Sequence, residues 1–390
     1  MKYTTKLVLL LGTLHAANDF LCLLISPVLP LIITQFQLSY FKAGMISTVF
    51  LMISAILQPF LGYWADSSGK RKLLLLSGLF WVSLMFFLAS FSPSYWVLIL
   101  LLGLGAIGAA TYHPQAVALI SEAVETRQIG RSLGIHVSVG SIGIFLVPIL
   151  ATFISGHLGW QKAFMILAGP IMLLPIISWP LIKESRVAEK EHVSLFTILT
   201  PRLFILIVAN GIATFCLASV LQLLPTYYVE IRGTELLSAG YMTSIVLAAG
   251  IVAAFVAGIA ADKIGKKAVM IGALLASSAA LLIFLNTSGI SSLLMSALFG
   301  FGMFAVVPLF HAYATGMAPD RGRGIAIGML FAIGQGFGAL GPMVTGAISG
   351  AVGLGAALTL VAIAPVISAA ICFLFPGRLL AYKGKMPHSL

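Results

Sequence analysis

Apolar runs long enough to cross a bilayer recur along the whole chain, and that recurrence leaves few folds open. A run of about 18 or more apolar residues crosses a ~30 Å hydrocarbon core as a helix. Membrane-barrel strands would instead alternate polar and apolar residues over about ten positions, and no such alternation is visible. The chain is 60% hydrophobic and 8% charged, with a mean hydropathy of +1.10, whereas soluble domains are about a quarter charged. The expectation is an all-α membrane protein with twelve transmembrane helices, at 7–33, 43–65, 73–92, 95–121, 131–154, 161–182, 203–229, 238–261, 268–287, 290–317, 324–349 and 353–375. Lys2 and Lys6 give the first run the look of a signal peptide. It is too long for one, however, and carries His15, Asn18 and Asp19 where an apolar signal core belongs, so it reads as a retained helix.

The basic residues set an orientation. With both termini cytoplasmic, 19 of the 22 Lys and Arg residues fall on the inner side, and only Lys42, Lys162 and Arg232 fall outside. Such a bias is the positive-inside pattern of a multi-pass protein, here placed in a bacterial inner membrane. It also accounts for the net charge of +11 through topology and attraction to membrane lipid. No clustered basic face on a soluble fold is present, so nucleic acid is not an expected partner. Cys22, Cys216 and Cys372 all fall within spans and read as small apolar packing residues.

One pattern occurs twice. Gly62-Tyr63-Trp64-Ala65-Asp66-Ser67-Ser68-Gly69, followed by Lys70-Arg71-Lys72, returns 196 residues later as Gly258-Ile259-Ala260-Ala261-Asp262-Lys263-Ile264-Gly265, followed by Lys266-Lys267. Pro30 is matched by Pro225, Gly103-Leu104-Gly105 by Gly300-Phe301-Gly302, and Gly130-Arg131 by Gly322-Arg323. Self-similarity at half the chain length implies two similar halves. The expected organisation is an N-terminal six-helix bundle at 1–182, a cytoplasmic central loop at 183–202, a C-terminal six-helix bundle at 203–375 and a cytoplasmic tail at 376–390. Glycines within spans five and eleven (Gly140, Gly143, Gly334, Gly336, Gly338 and Gly341) suit close backbone approach, either as fixed packing or as a bend or sliding contact.

With twelve spans, a central loop and the paired G-x-x-x-D-x-x-G signature, the chain resembles the major facilitator superfamily over its whole length. The resemblance implies two six-helix bundles that rock about a central site and expose it to either side in turn. It also implies a conformational latch at the signature, carried here by Gly62, Asp66, Gly69 and Arg71, with Gly258 and Asp262 as counterparts. A carboxylate at a helix end can favour the positive N-terminus of a neighbouring helix; Gly62 would let two backbones meet, and Arg71 could share the charge. Leu14-His15-Ala16-Ala17-Asn18-Asp19, Gly62-Tyr63-Trp64-Ala65-Asp66 and Tyr112-His113-Pro114 are similar to the fosmidomycin-resistance exporters, drug-efflux proteins that exchange drug for proton. The chain departs from them in having His113-Pro114-Gln115 where His-Pro-Glu is expected. It also lacks the arginine that many drug–proton antiporters place in span four.

Asp19 is the most informative single residue. It lies about 18 Å along the first helix at ~1.5 Å per residue, and an ionised Asp at that depth costs at least ~2.5–3.5 kcal/mol. It therefore requires a cavity or a partner. His15, four residues earlier, shares its helix face, and His113 lies at similar depth. Asp19, His15 and His113 are the expected proton-coupling residues, against the alternative of a structural network that ties helices together. Asn18, Gln58, Gln115, His136, Asn210, Gln222, His311 and Gln335 are the expected substrate-binding set. Tyr227 and Tyr228 read as an interfacial aromatic belt in preference to a gate.

No cofactor and no metal site is expected, because His15 and Asp19 share one helix and other ligands would need a favourable fold to join them. With no Lys or Arg deep in any span, neutral, zwitterionic or cationic amphipathic molecules suit the cavity better than strong anions. The motifs H-E-x-x-H, G-x-S-x-G and the P-loop are missing from the sequence, so the chain does not read as an enzyme. The expected function is proton-coupled efflux of small amphipathic organic compounds or drugs, by a monomer whose partners are a small-molecule substrate, protons and membrane lipid. The alternative is a proton-coupled importer of a nutrient, or a metallophore or metal transporter on the same fold.

Overall fold

The computed structural model of the chain describes residues 3–184, 199–317 and 323–375. The tail at 376–390 and most of the central loop lie outside the described residues. Twelve helices are long and apolar enough to cross a membrane: α1 Tyr3–Phe36, α2 Tyr40–Ser68, α3 Arg71–Ala89, α4 Tyr95–Ala123, α5 Ile129–Leu158, α6 Trp160–Leu181, α7 Pro201–Ile231, α8 Leu236–Ile264, α9 Lys266–Asn286, α10 Gly289–Met317, α11 Ala326–Val352 and α12 Leu354–Cys372. Their ends fall within four residues of those expected from hydropathy. No strand occurs among the described residues.

The repeated signature has a local structural meaning. Gly69 (φ 69°) and Gly265 (φ 90°) end α2 and α8 in left-handed backbone. Their N–H groups return to Ala65 O and Ala261 O, each at 3.0 Å. A side chain is strained at such φ, so glycine stops the helix and turns the chain into the next one.

Proline explains where helices break. Its ring removes an N–H and clashes with the carbonyl four residues earlier. Helix α1 is interrupted at Leu24, ahead of Pro27, and α4 is interrupted between Ala109 and Tyr112, ahead of Pro114. Likewise α11 breaks at Leu340 before Pro342, and α12 at Ala362 before Pro365. Following Pro225, α7 closes in a wide π-type turn over Tyr227–Ile231. That turn corrects the aromatic-belt expectation. Tyr227 and Tyr228 are only 2% and 3% exposed, and the Tyr227 hydroxyl accepts from Arg232 Nε at 3.0 Å, so they pack inside the protein and do not line a lipid boundary.

Two compact units emerge among the described residues, one drawn from 1–189, 218–248 and 339–358, the other from 190–217, 249–338 and 359–390. Each is held by small residues and by hydroxyls that donate to backbone carbonyls or a carboxylate on other helices, as expected where lipid supplies no hydrophobic drive for association. In the first unit, Ser26 Oγ donates to Leu221 O (2.6 Å), Thr48 Oγ1 to Ala339 O (2.6 Å) and Tyr40 OH to Glu230 Oε2 (2.7 Å). A Cβ added at Gly44 or Gly346 would overlap the backbone at Pro342 or Tyr40. In the second, Thr214 Oγ1 donates to Gly334 O (2.9 Å), Ser368 Oγ to Ala209 O (2.8 Å) and Ser278 Oγ to Ala362 O (2.6 Å).

The close approach expected at Gly62 is not found among the described residues. A Cβ there would meet Pro114 Cβ at 3.6 Å, an ordinary contact, and one at Gly258 would meet nothing within 4 Å. Tight contacts do occur between α1 and α5. A Cβ at Gly140 would overlap the His15 ring, and one at Gly143 the backbone of Ala16.

Candidate functional site

His15, Asn18 and Asp19 sit on the unbroken first segment of α1, where i to i+4 spacing stacks His15 and Asp19 on one face. Their contact is made: His15 Nε2 lies 3.1 Å from Asp19 Oδ2. Asn18 Nδ2 donates to Asp19 Oδ1 at 3.2 Å. The break in α4 ahead of Pro114 starts a new helical segment at Tyr112, and from it His113 Nε2 reaches to 3.5 Å from Asp19 Oδ1. Both carboxylate oxygens therefore face nitrogen donors from two helices. The Asp19 side chain is still 16% exposed and that of His113 44% exposed, so the cluster is buried on the α1 side and open at His113.

Two further rings complete it. His136, from α5, stacks on His15 with centroids 4.5 Å apart and planes at 16°. Tyr112 lies 5.6 Å from His15 at 21°, while His113 meets it edge-on at 5.1 Å. The Tyr112 hydroxyl donates to the carbonyl of Leu11, pinning α4 to α1. Among the described residues, His15 Nδ1, His136 Nδ1, Asn18 Oδ1 and Gln115 Nε2 are buried without a hydrogen-bond partner. The donor atoms of His15, Asp19 and His113 lie within 4.8 Å of one another. The fold therefore joins residues that sequence spacing alone left on separate helices.

The other residues expected at the substrate site are not all gathered here. His136 joins the cluster, and Gln115 is buried two residues from His113 (1% exposed). Gln58 on α2 is half-buried, and Gln222 on α7 is buried in the first unit with Oε1 unpartnered among the described residues. In the second unit, Asn210 Nδ2 donates to Leu330 O at 3.4 Å, His311 packs on Phe331 with centroids 4.7 Å apart, and Gln335 is exposed.

A second polar cluster forms at the signature. Arg71, only 3% exposed, donates through Nε (3.2 Å) and Nη2 (2.7 Å) to Asp66 Oδ1, and its Nη1 pairs with Glu122 Oε1 at the end of α4. Glu122 went unrecognised in the sequence, although an acidic residue closing span four opposite the basic signature was the available signal. Asp262, the counterpart of Asp66, is exposed and makes no ion pair among the described residues.

Comparison with known proteins agrees with this architecture. The chain is 27% identical over 346 residues to the fosmidomycin resistance protein of Escherichia coli (strain K12), covering 86% of this chain and 84% of that protein. It is 28% identical over 352 residues to the multi-drug resistance efflux pump PmrA of Streptococcus pneumoniae serotype 4 (strain ATCC BAA-334 / TIGR4), covering 85% and 86%. The fold matches the crystal structure of a bacterial homolog of the human lysosomal transporter Spinster, in an inward-facing and occupied conformation, with TM-score 0.85, 19% identity and coverage of 96% and 97%. The family model of the Major Facilitator Superfamily matches residues 8–252 and 233–383. Twelve apolar helices, the twice-repeated signature and this match along nearly the whole length establish that the chain belongs to the Major Facilitator Superfamily and is an integral, multi-pass membrane transporter of small molecules.

Proposed function

We propose that the protein exports small amphipathic organic compounds by alternating access, drawing energy from protons that enter through Asp19, His15 and His113. The observation that carries this reading is a carboxylate within a membrane helix whose two oxygens face imidazoles from α1 and α4, at 3.1 Å and 3.5 Å. An ionisable group at such depth is costly and marks an ion or substrate path. Histidine is the side chain whose ordinary titration range lies nearest physiological pH, so a proton can pass among the three without leaving an isolated charge in the bilayer. The exposed face of His113 is where protons enter the cluster. The names of the relatives, a fosmidomycin resistance protein and a multi-drug efflux pump, favour drugs or similar toxic compounds as cargo.

In this reading, residues 1–182 and 203–375 are the two moving bundles, and both termini face the cytoplasm of a bacterial cell. The Tyr40–Glu230, Thr48–Ala339 and Ser26–Leu221 contacts then close the outer side. The Asp66–Arg71–Glu122 cluster belongs to the inner side, where it helps hold one of the alternating states. Gln58, Gln115, Asn210, Gln222, His311 and Gln335 supply polar contacts to the cargo.

The test is drug efflux from proteoliposomes under an imposed pH gradient. Asp19→Asn keeps the size and the Asn18 contact but removes the ionisable group, and gradient-driven efflux is expected to vanish while the variant stays folded and monodisperse. Undiminished efflux in that variant would exclude Asp19 from coupling.

A further inference from the structure

We propose that His15, Asp19 and His113 form a binding site for one divalent first-row transition-metal ion of the zinc class. The donor set is two imidazole nitrogens and one carboxylate oxygen, a borderline combination that suits such ions. It does not suit magnesium or calcium, which take all-oxygen shells.

The distances fit. Zinc holds nitrogen and oxygen ligands at about 2.0–2.2 Å, which sets neighbouring ligand atoms of a tetrahedron about 3.4 Å apart. His15 Nε2 to Asp19 Oδ2 is 3.1 Å and His113 Nε2 to Asp19 Oδ1 is 3.5 Å. Each imidazole therefore already stands at about one ligand–ligand distance from the carboxylate, His15 from one oxygen and His113 from the other. With one oxygen taken as the ligand, the three donor atoms lie within 4.8 Å of one another, and His113 is the ring free to close the gap. Its side chain is 44% exposed, whereas His15 is held between α1 and α5 beside His136. Three protein ligands leave a fourth position on the open, His113 side, as in zinc sites that bind water or a small ligand there.

Charge agrees as well. Asp19 supplies a negative charge inside the bilayer span, and neither α1 beyond Lys6 nor any part of α4 or α5 inward of Arg131 carries a Lys or Arg to repel a dication.

The inference goes beyond drug export and is read without any flux measurement. The full-length protein, in lipid nanodiscs and stripped of metal, is titrated calorimetrically with Zn2+ and, in parallel, with Mg2+. The chain carries His157→Gln, His192→Gln, His311→Gln and His388→Gln so that the four histidines not named in the cluster do not compete. One equivalent of Zn2+ and no Mg2+ is the expected result. Asp19→Asn, His15→Gln and His113→Gln should each weaken Zn2+ binding at least about tenfold. X-ray absorption at the zinc edge, taken on the protein with all three ligands intact, needs no variant to fold and should report two imidazoles and oxygen in the first shell. Equal binding by all three variants, a shell without imidazole, or no saturable Zn2+ binding would overturn the proposal.

Discussion

Gly140→Ala is the substitution whose effect follows most directly from the coordinates. A Cβ at that position would lie 2.6 Å from His15 Cγ and 2.9 Å from its Cε1, against ordinary contact at 3.4–4 Å. Either the ring or helix α5 must yield by about 1 Å, and overpacking of this kind costs about 1–3 kcal/mol. His15 has little room to retreat, because His136, His113 and Tyr112 border it at centroid distances of 4.5, 5.1 and 5.6 Å. A displaced ring loses its 3.1 Å contact with Asp19, so thermal stability in detergent and gradient-driven efflux should fall together. A double-mutant cycle isolates the cause. In His15→Ala the ring is gone and the added methyl group fits, so the pair should be non-additive by about 1–3 kcal/mol. Gly134→Ala on the same helix is the control: nothing lies within 4 Å of its Cβ, and helix propensity alone favours alanine by up to about 1 kcal/mol. Strict additivity of Gly140→Ala and His15→Ala, or an unchanged melting temperature for Gly140→Ala, would refute the packing argument.

Arg71→Lys should weaken the inner cluster, because an ammonium cannot reproduce the forked contacts of a guanidinium with Asp66 and Glu122. Both carboxylates are more than a third exposed, so the loss is held to about 1 kcal/mol, or roughly a fivefold change in the balance between alternating states. Cysteine-accessibility labelling from each side of the membrane would read that change, and an unaltered pattern would remove the latch role. Tyr40→Phe deletes one exposed hydrogen bond of 2.7 Å to Glu230, worth about 0.5–1.5 kcal/mol, and should raise labelling of a cysteine placed at the neighbouring Ile231. Equal labelling with and without the Tyr40 hydroxyl would exclude that bond as an outer clasp.

Hydropathy and punctuation carried the secondary structure. A helix in lipid must bond its backbone internally, so an apolar run of sufficient length admits one conformation whatever surrounds it. Proline and left-handed glycine mark their breaks and ends through local sterics. That is why the twelve spans and the shared helix face of His15 and Asp19 were legible: each depends on residues within one turn or one run. The reach of Arg71 to Glu122, 51 positions along the chain, was not.

The sequence by itself determined that this protein is a twelve-helix membrane transporter with an ionisable residue buried in its first helix. Only the tertiary structure decided what that residue meets. His113 and His136 converge on His15 and Asp19 because Gly140 and Gly143 admit α5 against α1, and because Pro114 restarts α4 beside the carboxylate. Helical period assigns a residue to a face but says nothing of which face of another helix, about 100 residues away, will turn toward it. That choice belongs to close packing, where a single missing Cβ sets which rings can touch.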